Sequence, residues 1–212
     1  MTNTRVFTKG EEIANATIHG IGMLLSIAAL IILIVLSSIQ GSAWYIVSFT
    51  LFGVTMLLLY TSSTFVHAIP RGKAKHVFEI LDHSSIYFFI AGTYTPFLFI
   101  GLNGWLGWTL FGIVSFLAVG GTIFKCFFVK KYVFLSTLLY IVMGWLIVLA
   151  WQPLTAHVPE ISAQLLFVGG LLYTVGSIFF VWRGFKYHHA MWHFFVLVGS
   201  IAHFFSVLFL LP

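Results

Sequence analysis

Seven apolar stretches, each about as long as a bilayer is thick, occupy so much of this chain that little remains for any other architecture. They run Ile13–Ile39, Ala43–His67, Val77–Ile100, Trp105–Phe124, Tyr132–Trp151, Ser162–Trp182 and His189–Leu211. A helix needs roughly 20 apolar residues to span the hydrocarbon core. It also satisfies its backbone hydrogen bonds internally, as lipid demands. The residues are 60% hydrophobic and only 7% charged, against about 25% charged in an ordinary soluble domain. The sequence therefore predicts an all-α membrane protein, a seven-transmembrane helix bundle forming a single domain over residues 1–212.

The ten lysines and arginines orient that bundle. Arg5 and Lys9 precede the first stretch, and Arg71, Lys73 and Lys75 follow the second. Lys125, Lys130 and Lys131 follow the fourth, and Arg183 and Lys186 the sixth. The alternate connections, near Gln40–Ala43, Gly101–Gly104 and Gln152–Ser162, hold none. Cytoplasmic loops are enriched in Lys and Arg, so the N-terminus is expected to be cytoplasmic and the C-terminus outside. The same bias absorbs the formal charge of +5, so no nucleic-acid partner is implied. Cys126 is the only cysteine and cannot form an intramolecular disulfide. The first stretch is too long for a signal-peptide core and opens on Glu11 and Glu12, so it reads as a retained span.

Glycine pairs at Gly20/Gly22 and Gly120/Gly121 suit close helix packing. Pro96 falls inside the third stretch and is expected to kink it, with Thr93 and Thr95 able to bond the freed carbonyls.

Ionisable groups inside spanning helices each cost about 2.5–3.5 kcal/mol near the bilayer centre, so they need a reason. Four sets stand out. The second helix ends with Ser63 and His67 on one face, four residues apart. The third soon presents Asp82 and His83, and the seventh opens on the pair His189 and His193. The first opens on Glu12, Asn15 and His19, whose spacing also forms one face. The second helix runs from outside to inside while the first, third and seventh run the other way. His67, Asp82, His189 and His193 therefore share a depth, with Asp82 and His193 about 10 Å from the cytoplasmic loops. Three neutral imidazoles from two helices with a carboxylate nearby suit Zn²⁺, and three protein ligands leave a fourth position for water. His83 points about 100° away from Asp82 and is not expected to face the same metal. His203, ten residues beyond His193, reads as a packing or polar-path residue, and His76 and His188 read as loop residues. His157 lies outside.

The combination of Glu12-x2-Asn15-x3-His19, Ser63-x3-His67, Asp82-His83 and His189-x3-His193 resembles the hemolysin III branch of the progestin and adipoQ receptor (PAQR) family, over essentially the whole chain. That resemblance implies a seven-helix bundle with its N-terminus inside and a zinc held by His67, His189 and His193. It further implies that Asp82 contacts the metal or its water, with Ser63 beside it. The wider superfamily includes membrane ceramidases, which implies a ceramidase-like hydrolase of a lipid amide or ester in the cytoplasmic leaflet. In that scheme Asp82 serves as base, and Ser63 donates a hydrogen bond to the developing oxyanion or to Asp82. Two other readings stand beside it: a non-enzymatic membrane sensor or receptor whose zinc ties helices together, and an ion or proton pathway through Glu12, His19, Asp82 and His203. The family name records cytolysis, but the residues carry no export signal and no amphipathic insertion segment.

Overall fold

The computed structural model describes residues 7–39 and 42–211; Arg5, Gln40 and Pro212 lie outside them. Among the described residues, seven helices are long and apolar enough to cross a membrane: Lys9–Ile39, Ala43–Ala68, Lys73–Leu102, Gly104–Phe128, Val133–Thr155, Glu160–Val181 and His188–Leu208. Each span packs mainly on its chain neighbour, except that the fifth rests on the third and sixth, and the first also packs against the seventh. The first, second, third, fifth, sixth and seventh spans form a ring around an interior chamber, to whose lining the fourth contributes no residue.

The first helix shows why membrane burial selects these residues. Glu11, Asn15, His19, Gly22, Ser26, Ala29, Leu33 and Ser37 are buried, mostly polar or small and spaced three or four apart. Ile13, Ile21, Leu24, Ile31 and Val35 face outward. In water such an apolar exterior would be an aggregation surface; in lipid it is the solvated face. Small residues let large ones in. The ring of Tyr60 fills the space that a Cβ at Gly22 would need, and the ring of Tyr87 does the same at Gly121. Only one glycine of each expected pair serves this purpose, since Gly120 faces open space and Gly20 makes ordinary contact.

The helices extend further at the basic end than hydropathy alone predicts. The third starts at Lys73, so His76 is helical rather than in a loop. The seventh starts at His188, which is buried rather than a loop residue. The fourth continues to Phe128 and carries Lys125 inside the bundle, 1% exposed, where its ammonium donates to Ser136 Oγ at 2.7 Å. Lys125 is therefore not a loop charge, and the positive bias of that connection rests on Lys130 and Lys131.

Two interruptions have local causes. At Pro96, Gly92 loses its usual helical donor. Thr95 Oγ1 donates to that carbonyl at 2.8 Å, as expected, whereas Thr93 bonds Phe89 O at 2.9 Å. The helix then widens into a π turn over Phe97–Leu102. In the fifth span the Tyr94 hydroxyl enters the backbone ladder. It accepts from Ile147 N and donates to Met143 O, both at 2.8 Å, so the span tightens to a 3₁₀ turn over Leu146–Ala150.

A capping box fixes the start of the first helix. Glu11 Oε2 accepts from Thr8 N and Thr8 Oγ1, both at 2.9 Å, and Glu11 N donates back to Thr8 Oγ1 at 3.3 Å. The other carboxylate oxygen accepts from Tyr187 N at 3.1 Å, at the start of the seventh helix. Glu11 thus sets the relative height of the first and seventh helices.

The charge pattern makes a direct prediction about orientation. A reporter active only in the cytoplasm is expected to work when inserted in the turn at Lys130–Lys131 and to be silent at the C-terminus. An active C-terminal fusion would invert the topology.

Candidate metal centre

The height set by Glu11 brings the seventh helix's histidine pair level with the end of the second helix. Ligand atoms of His67, His189 and His193 all lie within 4.8 Å of one another. Their rings stand 4.5–5.2 Å apart between centroids. The expected convergence of two helices on one depth is therefore present. The first helix lies between the second and the seventh and supplies the surrounding contacts.

Those contacts determine which nitrogen of each ring is available. Glu12 Oε2 lies 2.6 Å from His67 Nδ1, and a carboxylate at that distance accepts a proton held on Nδ1. His67 Nε2 is then the unprotonated nitrogen; it is buried with no hydrogen-bond partner among the described residues. Likewise His193 Nδ1 donates to the Asn15 carbonyl at 3.3 Å, leaving Nε2 as the acceptor. His189 is held by ring packing, with Phe7 at 5.0 Å and Phe180 at 5.8 Å. Metal-bound histidines usually give their second nitrogen to a carboxylate or backbone carbonyl in this way. Three imidazoles within reach of one point, two with Nε2 turned free, fit a divalent ion bound through nitrogen at about 2.0–2.1 Å.

Behind His193 lies a second layer. The His19 ring stacks on it at 3.6 Å, nearly parallel, and His19 Nδ1 is 2.7 Å from Ser63 Oγ. Ser63 is thus bonded to His19, is 1% exposed and does not line either of the two cavities described below. Its position, one turn before His67, does hold the imidazole that backs a ligand. Lys75 closes the other side by donating to Glu12 Oε1 at 2.7 Å.

Asp82 stands apart from the three-histidine cluster and faces the same space. Its carboxylate lies 3.7 Å from His83 Nδ1, which itself bonds Glu79 O at 2.8 Å. Two cavities meet here. One is polar and opens at the basic end, lined by Glu12, His67, Arg71, Lys75, Lys130 and Arg183 among others. The other is an apolar chamber inside the ring, with Leu59, Ile86, Phe89, Trp145, Leu166 and Val196 in its walls. Asp82 and His189 line both. The histidine cluster therefore sits at the junction between a mouth lined by charged side chains and a mainly apolar chamber.

The family model described as Haemolysin-III related matches residues 7–204. A hemolysin-3 homolog of Bacillus subtilis (strain 168) is 58% identical over 204 residues, covering 96% of this chain and 96% of the relative. The hemolysin-3 of Bacillus cereus is 55% identical over 209 residues, covering 99% of this chain and 95% of the relative. At greater distance, the monocyte to macrophage differentiation factor of Homo sapiens is 28% identical over 203 residues, covering 93% and 83%. The chain belongs to the haemolysin-III related family, as a hemolysin III-like PAQR member of integral membrane type.

The geometry ranks the substitutions. Replacing His67, His189 or His193 with Ala is expected to abolish stoichiometric metal in purified protein, whereas His203→Ala leaves it in place. Glu12→Gln, which keeps the shape but weakens the hold on His67, should lower affinity about 10–100-fold. Binding should also fall with pH, since only neutral imidazole ligates. Metal content measured by mass spectrometry checks each, and full retention in the triple His→Ala variant would contradict the ligand set.

Proposed function

We propose that this protein is a zinc-dependent hydrolase of a lipid amide or ester, drawing its substrate from the cytoplasmic leaflet of a bacterial plasma membrane. The observation that carries this reading is the junction. A polar mouth and an apolar chamber share the walls formed by Asp82 and His189, beside the three imidazoles. A lipid has the same three-part layout: a polar head, an apolar chain and a carbonyl linkage between them. With the chain in the chamber and the head in the mouth, the linkage lies at the histidine cluster.

His67, His189 and His193 would hold the metal, which when bound would supply Lewis acidity towards a carbonyl oxygen and raise the acidity of water. Glu12 and the Asn15 carbonyl keep His67 and His193 in the ligating tautomer. Ser63 acts through His19, whose ring stacks against His193. Asp82 is the base: its carboxylate takes the proton from the attacking water and returns it to the leaving nitrogen or oxygen as the carbonyl bond breaks. The apolar chamber keeps bulk water away from the acyl side, which strengthens electrostatic contacts at the linkage.

A sensor that uses the same metal as a helix tie would need no base. Asp82→Asn separates the two readings. It is expected to keep zinc and folding while lowering release of free fatty acid from a reactive lipid amide or ester by about 10²–10⁴-fold. Undiminished release in Asp82→Asn would remove Asp82 from the chemistry. Wild-type protein that holds zinc yet cleaves none of a panel of amides and esters would favour the sensor. Haemolysis, for which the two Bacillus relatives are named, is tested separately by adding purified protein to red cells.

A further inference from the structure

The chamber's far end carries a polar atom that its apolar walls do not explain. His203 lies on the seventh helix ten residues beyond His193, about 15 Å further along the axis. Its ring lines the chamber and is 6% exposed. His203 Nε2 is 3.1 Å from the Leu166 carbonyl. A carbonyl only accepts, so Nε2 carries the proton and Nδ1 of the neutral ring is a bare acceptor. That Nδ1 is buried without a partner among the described residues.

The neighbouring hydroxyls are already occupied. Tyr60 donates to Ser200 Oγ at 2.7 Å, and Tyr173 shares a hydrogen bond with the same oxygen at 2.9 Å. The ring itself is seated rather than loose. A Cβ at Gly169 would collide with His203 Cδ2 and Nε2, so the sixth helix gives up a side chain where the imidazole docks. Tyr173 packs against it edge-on at 5.1 Å. A buried acceptor left unpaired is destabilising, and a ligand donor would recover that loss.

We propose that the deep end of the chamber recognises a hydroxyl carried partway along the ligand's acyl chain, with His203 Nδ1 as the acceptor. This rests on the reading of the chamber as the acyl site and names the class of chain it takes. Because the open atom is an acceptor, it selects an O–H and not a keto or ester oxygen. The spacing from His193 places that hydroxyl about 15 Å from the group held at the histidine cluster.

The test uses free fatty acids, which have no bond to cleave, so it is independent of whether the protein is a hydrolase. Displacement of a fluorescent fatty acid from detergent-purified, zinc-loaded protein gives the affinity of a saturated acid and of isomers bearing one hydroxyl at successive carbons. Wild type is expected to bind one mid-chain isomer about tenfold more tightly than the plain acid, with the preference peaking at a single position. His203→Phe, which keeps a ring and removes the acceptor, should erase that peak, read as each hydroxy acid's affinity relative to the plain acid in the same variant. A flat positional profile in wild type overturns the proposal without reliance on any variant. So does a peak that survives in His203→Phe, or a chamber that takes no fatty acid at all. Failure of the wild-type protein to cleave any lipid, with the hydroxyl peak intact, would count against the hydrolase reading alone.

Discussion

The contact between the Glu12 carboxylate and His67 Nδ1 is the interaction on which the rest of the site depends. An imidazole offers a lone pair on only one nitrogen when neutral, and a ring free to choose either tautomer is a poorly organised ligand. Glu12 and the Asn15 carbonyl make that choice for His67 and His193, and both come from the first helix. The first helix can do so because Glu11 fixes its height against the seventh through Tyr187 N. A single turn, Glu11 to Asn15, therefore sets both the depth and the proton placement of the cluster.

The bundle inverts the usual logic of a soluble core. Its exterior is apolar because lipid surrounds it, and its interior can hold polar groups wherever they are paired. Lys125 donates to Ser136, His19 is bonded to Ser63, and Tyr60 and Tyr173 meet on Ser200. Each is a costly group made tolerable by a partner. Against that background an unpaired buried nitrogen is informative. Such atoms are found at the three-histidine cluster, in His67 Nε2 and in His19 Nε2 behind it, and in a residue lining the deep chamber, His203, at Nδ1. The amphiphilic cavity system joining these two points is the feature that directs the functional reading towards a lipid.

Hydropathy and helix geometry made much of this legible in advance. The seven spans follow from apolar run length, and the shared depth of His67, His189 and His193 follows from alternating helix direction. The helix ends were less visible because Lys73, His76, Lys125 and His188 are polar, and a window of mean hydropathy stops at polar residues whether or not the backbone does. The Thr8-x2-Glu11 spacing is that of a capping box, but the link from Glu11 to Tyr187 joins residues 176 apart, and no local pattern shows that. Ser63 lies one turn from His67 in sequence, but its hydrogen-bond partner His19 sits on another helix, so that contact appears only in three dimensions. The insertion of the Tyr94 hydroxyl into the fifth helix has no sequence signal at all, since it depends on the packing of two spans.

X-ray absorption at the zinc edge on purified, metal-replete protein tests the central claim most directly. Three imidazole ligands plus one light fourth scatterer are expected, with metal–nitrogen distances of about 2.0–2.1 Å and no sulfur shell. In Glu12→Gln the same ligand count should persist with a broadened imidazole shell, as the ring of His67 loses its carboxylate hold. A sulfur contribution from Cys126, or an imidazole count below three in the wild-type protein, would contradict the site described.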